Sequence, residues 1–191
     1  MRFFIILITI SLIPILFIGC GGSKELSAER EGVEPAWFLN VLQDPNYFFA
    51  TSTAASNDLQ FSLNKATTDA RAEVSRQIEV RVSTLQKRFQ EEVGIAEDAR
   101  FNEMMTQVTR TVTDNALHGS RVRDQTYMRE GQLYRAYVLV EYPIGEANAA
   151  LMKQLKENEY LQTLFRGSQL FEELDEEIKK YEEWKQRQVE R

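Results

Sequence analysis

The amino-acid sequence predicts an α+β fold: an antiparallel sheet of about four strands with two helices packed on it, in the order β-α-β-α-β-β, and then a long C-terminal amphipathic helix. Three observations predict it. Aromatic and β-branched runs lie between turn residues, as strands do. Two other segments repeat apolar residues at helical spacing. The C-terminal region is rich in Leu, Glu, Lys and Gln.

The chain begins with an apolar segment typical of an export signal. Arg2 precedes residues 3–18, which carry no charge, and the small Gly19 follows. A positive start, an apolar middle and a small exit residue make a secretory signal, and this run is at the short limit for a membrane span. We therefore expect a signal peptide over residues 1–19. An uncleaved anchor helix is the alternative.

The one cysteine of the chain, Cys20, follows this segment directly. The stretch Phe17-Ile18-Gly19-Cys20 resembles the lipoprotein box of bacteria, in which the cysteine sulfur receives a diacylglyceryl group and the new amine is acylated after cleavage. The resemblance implies that Cys20 is the lipidated first residue of the mature chain. One acyl chain anchors a protein only marginally, so three chains would hold it firmly to a membrane.

Residues 20–34 are expected to form the lipidated cysteine and a flexible tether, because Gly21-Gly22-Ser23 and the polar stretch after it show no sustained period. An inner-membrane lipoprotein typically carries Asp after the cysteine, whereas Gly21 stands here. The resemblance therefore favours the outer membrane and a periplasmic orientation, with the inner membrane and the cell surface as alternatives.

Composition excludes several function classes for the mature chain. Removing residues 1–19 leaves 191 − 19 = 172 residues and a net charge of 22 − 29 = −7, which argues against nonspecific binding to nucleic acid. With Cys20 lipidated, no thiol remains for a disulfide or a cysteine-based metal site. This length suits one domain, or one small domain with an appendage.

The first half of the folded region is predicted to be strand, helix, strand. Residues 47–53 form an aromatic and β-branched run after the turn-rich residues 43–46. Asp58 follows Ser56 and Asn57 as helix-start residues, and a helical apolar stripe comes next. Its members are Leu59, Leu63, Ala66, Ala70, Val74 and Ile78. Alternation of apolar and polar residues from Ile78 onward predicts a second strand over residues 79–89.

The second half is predicted to be a helix and a hairpin. Phe101, Met105, Val108 and Val112 have helical spacing, and the helix is expected to stop at Gly119. Residues 119–128 and 133–142 then read as two strands joined through residues 129–132. Pro143 closes this hairpin.

The region from residue 145 onward is predicted to be one long amphipathic helix with a break at Gly167-Ser168. Apolar and aromatic side chains there recur in alternating steps of four and three residues, which suggests a short heptad seam. The positions are Tyr160, Leu164, Gly167, Phe171, Leu174, Ile178 and Tyr181. The seam could pack on its own sheet, on a second copy or on a partner helix.

The sequence contains no constellation typical of an enzyme. His118 is the one histidine, and it is expected to hydrogen-bond free carbonyls in the last turn of its helix. No nucleophile elbow, phosphate loop or metal-ligand spacing appears in the mature chain. We therefore expect no catalysis, no cofactor, no metal and no small-molecule substrate.

Two kinds of residue are candidates for binding. Arg121 and Arg123, on one predicted strand face, could form a small surface for an anionic ligand, together with Arg129 and Arg135 on the hairpin. Trp184, on a highly charged helix end, is a candidate interface anchor, whereas Trp37 is expected to cover the core. The alternative for the arginines is an ordinary solvated face.

Particular residues also carry a family resemblance. Pro35-Ala36-Trp37-Phe38, residues 65–78 (KATTDARAEVSRQI) and Leu133-Tyr134-Arg135-Ala136-Tyr137-Val138 resemble the LPP20 family of bacterial membrane-associated lipoproteins. The similarity spans residues 35–142. It implies a compact module of helices on an antiparallel sheet, expected over residues 35–143, with the helical region 144–191 appended. It transfers no catalytic residue.

The resemblance also frames the expected function. Some members build disks or rings around the flagellar motor. The prediction is therefore a noncatalytic envelope lipoprotein that scaffolds or assembles with a protein partner or with copies of itself. The alternative is a tethered binding module for an anionic envelope component, such as a cell-wall glycan, a lipid headgroup or an acidic protein.

Overall fold

The computed structural model describes residues 34–95 and 98–189. The predicted signal peptide, Cys20 and most of the predicted tether lie outside these residues. The helices and strands follow in chain order. They are α1 (Ala36–Leu39), β1 (Tyr47–Ser56), α2 (Leu59–Val93), α3 (Ala99–Gly119), β2 (Arg121–Glu130), β3 (Leu133–Pro143), α4 (Ile144–Glu157), α5 (Glu159–Phe165) and α6 (Gln169–Val189).

The sheet is antiparallel and has the order β1-β3-β2, so β3 is the central strand. The register pairs Tyr47 with Pro143 and Arg121 with Glu141, which brings the starts of β1 and β2 to the same end of the sheet. The α+β class and the hairpin are thus confirmed. The described part of the chain has three strands, however, where about four were predicted, and its elements up to β3 follow the order α-β-α-α-β-β. The prediction of two helices packed on the sheet was also inexact, because α2 lies on the strands whereas α3 packs mainly on α2 and α4.

The segment that was predicted as the second strand is part of helix α2. The prediction of a strand over residues 79–89 was wrong, because α2 continues without interruption to Val93. The buried residues Val82, Leu85 and Phe89 extend the helical stripe from Ile78, whereas Val80, which suggested alternation, is 66% exposed. Gly94 does end the element, as a left-handed cap with φ 73°.

Small residues let α2 lie directly on the sheet. Ala66 and Ala70 of the helix are fully buried, and they belong to the same core cluster as Ala50 and Ala136 of the strands. On the central strand, Tyr137 is also buried but lies outside this cluster, and the ring of Phe38 from α1 meets it edge to face at 4.9 Å. The N-terminal helix therefore helps to cover β3.

The C-terminal region forms three helices where one with a single break was predicted. Gly167, with φ 86°, marks the predicted break. A second break was not predicted: at Asn158 the helix α5 begins, and the Asn158 side chain caps it by accepting from the backbone N–H of Leu161. α4 packs against α3, α5 and α6. Leu174 is buried, and Phe171 and Ile178 pack on the core, so the predicted seam faces the chain's own domain.

One aromatic cluster ties this region to the rest of the core. The Phe165 ring of α5 stacks on Phe89 of α2 at 3.6 Å between centroids, and Phe101 of α3 stacks on Phe89 at 5.6 Å. All three side chains are nearly or fully buried. Residues beyond β3 thus share a continuous core with α2 and α3.

Candidate functional site

An open groove of about 640 Å³ lies at the end of the sheet where β1 and β2 begin. Strand residues form one wall and the last turns of α6 form the other. The lining residues are Tyr47, Gly119, Arg121, Glu141, Glu146, Tyr181, Trp184 and Lys185. Arg121 and Trp184 were predicted for separate reasons to be binding residues, and both border this groove.

A glycine contact holds α6 beside the sheet end. Gly145, in the first turn of α4, is buried under Tyr181 of α6, and a Cβ at this glycine would lie 2.0 Å from Tyr181 Cγ. The hydroxyl of Tyr181 donates to Glu146 Oε1 at 3.1 Å, and Lys185 Nζ lies 3.6 Å from the same oxygen. These contacts bring Trp184, one turn further on, to the groove.

Four aromatic rings form a continuous row along this end of the molecule. Neighbouring centroids are 5.8 Å apart from Phe49 to Tyr47, 5.9 Å from Tyr47 to Trp184 and 5.8 Å from Trp184 to Tyr181. The guanidinium of Arg123 lies over Phe49 at 5.4 Å. The rings pack edge-on or stacked, as aromatic pairs prefer, so the row is a preorganised apolar surface.

The charges around the row are largely paired. Arg123 Nη1 lies 3.0 Å from Glu141 Oε2, and a bulge between Val122 and Asp124 sets Arg123 outside the regular register. Arg121 lies opposite Glu141 in the strand register. Within the part of the chain that the structure describes, the Arg121 side chain makes no ion pair and is exposed.

The groove phenols stay protonated at neutral pH. Burial raises the pKa of Tyr47, and the nearby Glu141 adds to the effect. Burial also raises the pKa of Tyr181, as do the charge of Glu146 and the hydrogen bond to it. Both groups are therefore neutral phenols that can donate hydrogen bonds.

The one histidine and the possible metal ligands were also candidates for a reactive site. His118 is exposed in the last turn of α3, as the sequence predicted, but its Nδ1 donates to the carbonyl of Asp114 at 2.8 Å, which lies one turn inside the helix and not among the free carbonyls at its end. Among residues 34–95 and 98–189, no three His, Cys, Asp or Glu side chains cluster as a metal site would require.

Two predicted arginines lie away from the groove. Arg135 Nε is 2.6 Å from Glu130 Oε1, and Arg129 lies over the Tyr134 ring at 5.7 Å. Sequence reasoning missed the groove residues Tyr47, Tyr181, Glu146 and Lys185. Tyr181 stands three residues before Trp184, so the two share a helix face, and this spacing could have identified it. No local signal points to Tyr47.

Comparison with known families identifies a match over the folded region. The model of the LPP20 lipoprotein family matches residues 35–142, the span over which the sequence resemblance was found and more than half of the chain. A search of curated proteins finds no match. No helix within the described ranges has the length and hydropathy needed to cross a membrane.

Proposed function

This chain belongs to the LPP20 lipoprotein family, and from that premise we propose that it is a noncatalytic scaffold that binds a partner protein in the groove between the sheet end and α6. Membership in a lipoprotein family implies membrane association through a lipid anchor, in the bacterial envelope. In this proposal Cys20 carries the acyl chains, at the outer membrane and facing the periplasm.

The observation that carries the proposal is the groove itself. Trp, Tyr and Arg are the residue types that dominate binding energy at protein interfaces, and Trp184, Tyr47 and Arg121 meet here. Their backbones are held by strand pairing and by the Gly145 contact, so a partner would meet a surface that needs little ordering. A copy of the same chain or a different envelope protein could supply the partner segment.

Site-directed crosslinking in intact cells tests this proposal. A photoreactive residue in place of Trp184 should give a discrete protein adduct, and mass spectrometry should identify the partner. The same residue in place of Val80, which is 66% exposed on α2, is the matched control. An adduct that forms equally at both positions, or none at position 184, would contradict the proposal.

Substitutions then test the binding energy. Trp184→Ala and Arg121→Gln should each weaken association with the crosslinked partner by at least about tenfold, equivalent to about 1.4 kcal/mol. Arg129→Gln, a surface arginine away from the groove, should leave association unchanged. The mass of the acylated protein in detergent distinguishes self-association from a different partner.

A second candidate function follows from Arg121. An exposed cation without an ion pair among the described residues, in a chain of net charge −6, could hold an anionic envelope component such as a cell-wall glycan or a lipid headgroup. Arg123 would have to exchange Glu141 for the ligand.

Retention on purified cell wall or on anionic vesicles tests this second function. The double substitution of Arg121 and Arg123 by Gln should abolish retention, and added salt should weaken it in the unsubstituted protein. Retention that the double substitution leaves unchanged would rule this function out.

A further inference from the structure

The segment between α1 and β1 exposes an unusual concentration of apolar side chains. Leu39 is 62% exposed, Val41 39% and Leu42 41%. They are three of the eight large hydrophobic residues that are exposed among the described residues, and they lie within four positions of one another. The other five, Phe61, Val80, Val93, Val122 and Leu133, are scattered over the three elements α2, β2 and β3. Scattered residues of this kind are normal, whereas a cluster suggests a contact surface.

The cluster is held in a fixed position. On its N-terminal side, the Phe38 ring packs on Tyr137. On its C-terminal side, Asp44 Oδ1 accepts from the backbone N–H of Asn46 at 2.8 Å, and its carbonyl accepts from the N–H of Tyr47 at 3.1 Å. Both flanks are therefore tied to the sheet, and the apolar side chains are presented between them.

The composition of this segment fits a lipid surface. Residues 35–43 carry no charge, so the segment could enter the headgroup layer without removing an ion from water. Trp37 lies beside the cluster and is half-buried; Trp is the residue type that favours membrane interfaces. The chain as a whole is acidic, so contact with a bilayer would depend on apolar burial and not on charge attraction.

The position of the cluster along the chain argues for the bilayer over other occupants. Fourteen residue steps separate Glu34, the first described residue, from Cys20. A flexible chain of that length has a root-mean-square span of about 20 Å and a fully extended reach of about 50 Å. A lipid anchor at Cys20 would thus keep the cluster within reach of the membrane at all times. A soluble partner, in contrast, would have to reach the cluster by diffusion.

We propose that residues 37–42 form an interfacial contact that rests in the headgroup region of the bilayer carrying the anchor, with Leu39, Val41 and Leu42 facing the lipid. The contact rests on the lipid anchor of the proposed function but not on its groove. It would give the domain a preferred orientation on the membrane, where a tether alone would leave it free to rotate.

Fluorescence quenching in vesicles tests the contact. The mature acylated protein is placed in phosphatidylcholine vesicles, and Val41→Cys takes an environment-sensitive dye, because acylation of Cys20 leaves no other thiol. Brominated lipids should quench this dye several-fold more strongly than the same dye at Val80→Cys. The quenching should persist at high salt and in vesicles without anionic lipid.

A second variant shows whether the apolar side chains cause the contact. Leu39→Ser combined with Leu42→Ser should reduce the quenching at position 41 to the level at position 80, with an unchanged circular dichroism spectrum. Equal quenching at positions 41 and 80 in the acylated protein would overturn this inference while leaving the groove proposal standing. Shielding at position 41 that grows with protein concentration would assign the surface to a second copy and also overturn it. A dye that reacts with Cys20 would show that the anchor is absent, which would overturn the interfacial contact and the anchored location in the proposed function, but not the groove.

Discussion

Removal of one buried ring tests whether the C-terminal helices belong to the same cooperative unit as the sheet. Phe165 is 1% exposed, stacks on Phe89 at 3.6 Å and lies 6.1 Å from Phe101. Replacement of a buried Phe by Ala costs about 3–5 kcal/mol, because the contacts are lost and a cavity remains. Phe165→Ala should therefore lower the free energy of unfolding by about 4 kcal/mol, a large share of the roughly 5–15 kcal/mol available to a domain.

Urea unfolding of a form lacking residues 1–22 measures this loss. With a slope of about 2 kcal/mol per molar urea, the midpoint should fall by about 2 M. Circular dichroism and the fluorescence of Trp37 and Trp184 should report coincident transitions, since one tryptophan lies near the sheet and the other on α6.

The matched control is Phe61→Ala. Phe61 is 60% exposed on α2, so this substitution should change stability by less than about 0.5 kcal/mol. A loss below about 1 kcal/mol for Phe165→Ala, or a separate early transition that leaves the sheet folded, would refute the reasoning. The C-terminal helices would then be an independent unit.

Gly145→Ala should cost about 1–3 kcal/mol in thermal unfolding, because the new Cβ would meet the Tyr181 ring at 2.0 Å, and the cost should shrink when Tyr181 is also replaced by Ala. Burial, with a contribution from a nearby glutamate, raises the pKa of Tyr142 from 10.0 to about 12. The unfolded chain therefore loses this proton first, so stability should fall between pH 10 and 12, and Tyr142→Phe should flatten that decline; a decline of equal slope in both proteins would contradict it. Asn148→Ala should cost about 1–3 kcal/mol by chemical denaturation, because the buried amide donates to Glu177 at 2.6 Å, whereas Glu177→Gln, which keeps an acceptor, should cost less.

The hairpin and the helical stripes show where sequence patterns are reliable. The hairpin was predictable because two strand-forming runs flank a turn in which Gly131 stands with φ 62°. The run from Ile78 to Val82 was not, since a short β-branched stretch satisfies both periods locally. The helix wins there because Leu85 and Phe89 extend the buried stripe of the preceding turns.

The groove was predictable only in part, for a geometric reason. Arg121 and Trp184 were both identified from residue type, yet nothing in the sequence joins positions so far apart. Their meeting depends on the fold of α6 back onto α4, which needs the bare backbone of Gly145. Tyr47 enters the groove through strand register, and register is a property of the sheet as a whole.

The length of α2 has a consequence beyond this chain. Its 35 residues span about 52 Å, whereas the 10 residues of β1 span about 34 Å, so roughly a third of the helix overhangs the sheet. Leu85 and Phe89 lie on that overhang, and the C-terminal helices shelter it. A homologous chain that stopped after β3 would keep the stacking of Phe101 on Phe89 but lose that of Phe165. Apolar surface on this part of α2 would then be exposed to water, which would favour contact with another molecule. The length by which α2 extends past its strands would thus influence whether such a domain is monomeric or associates.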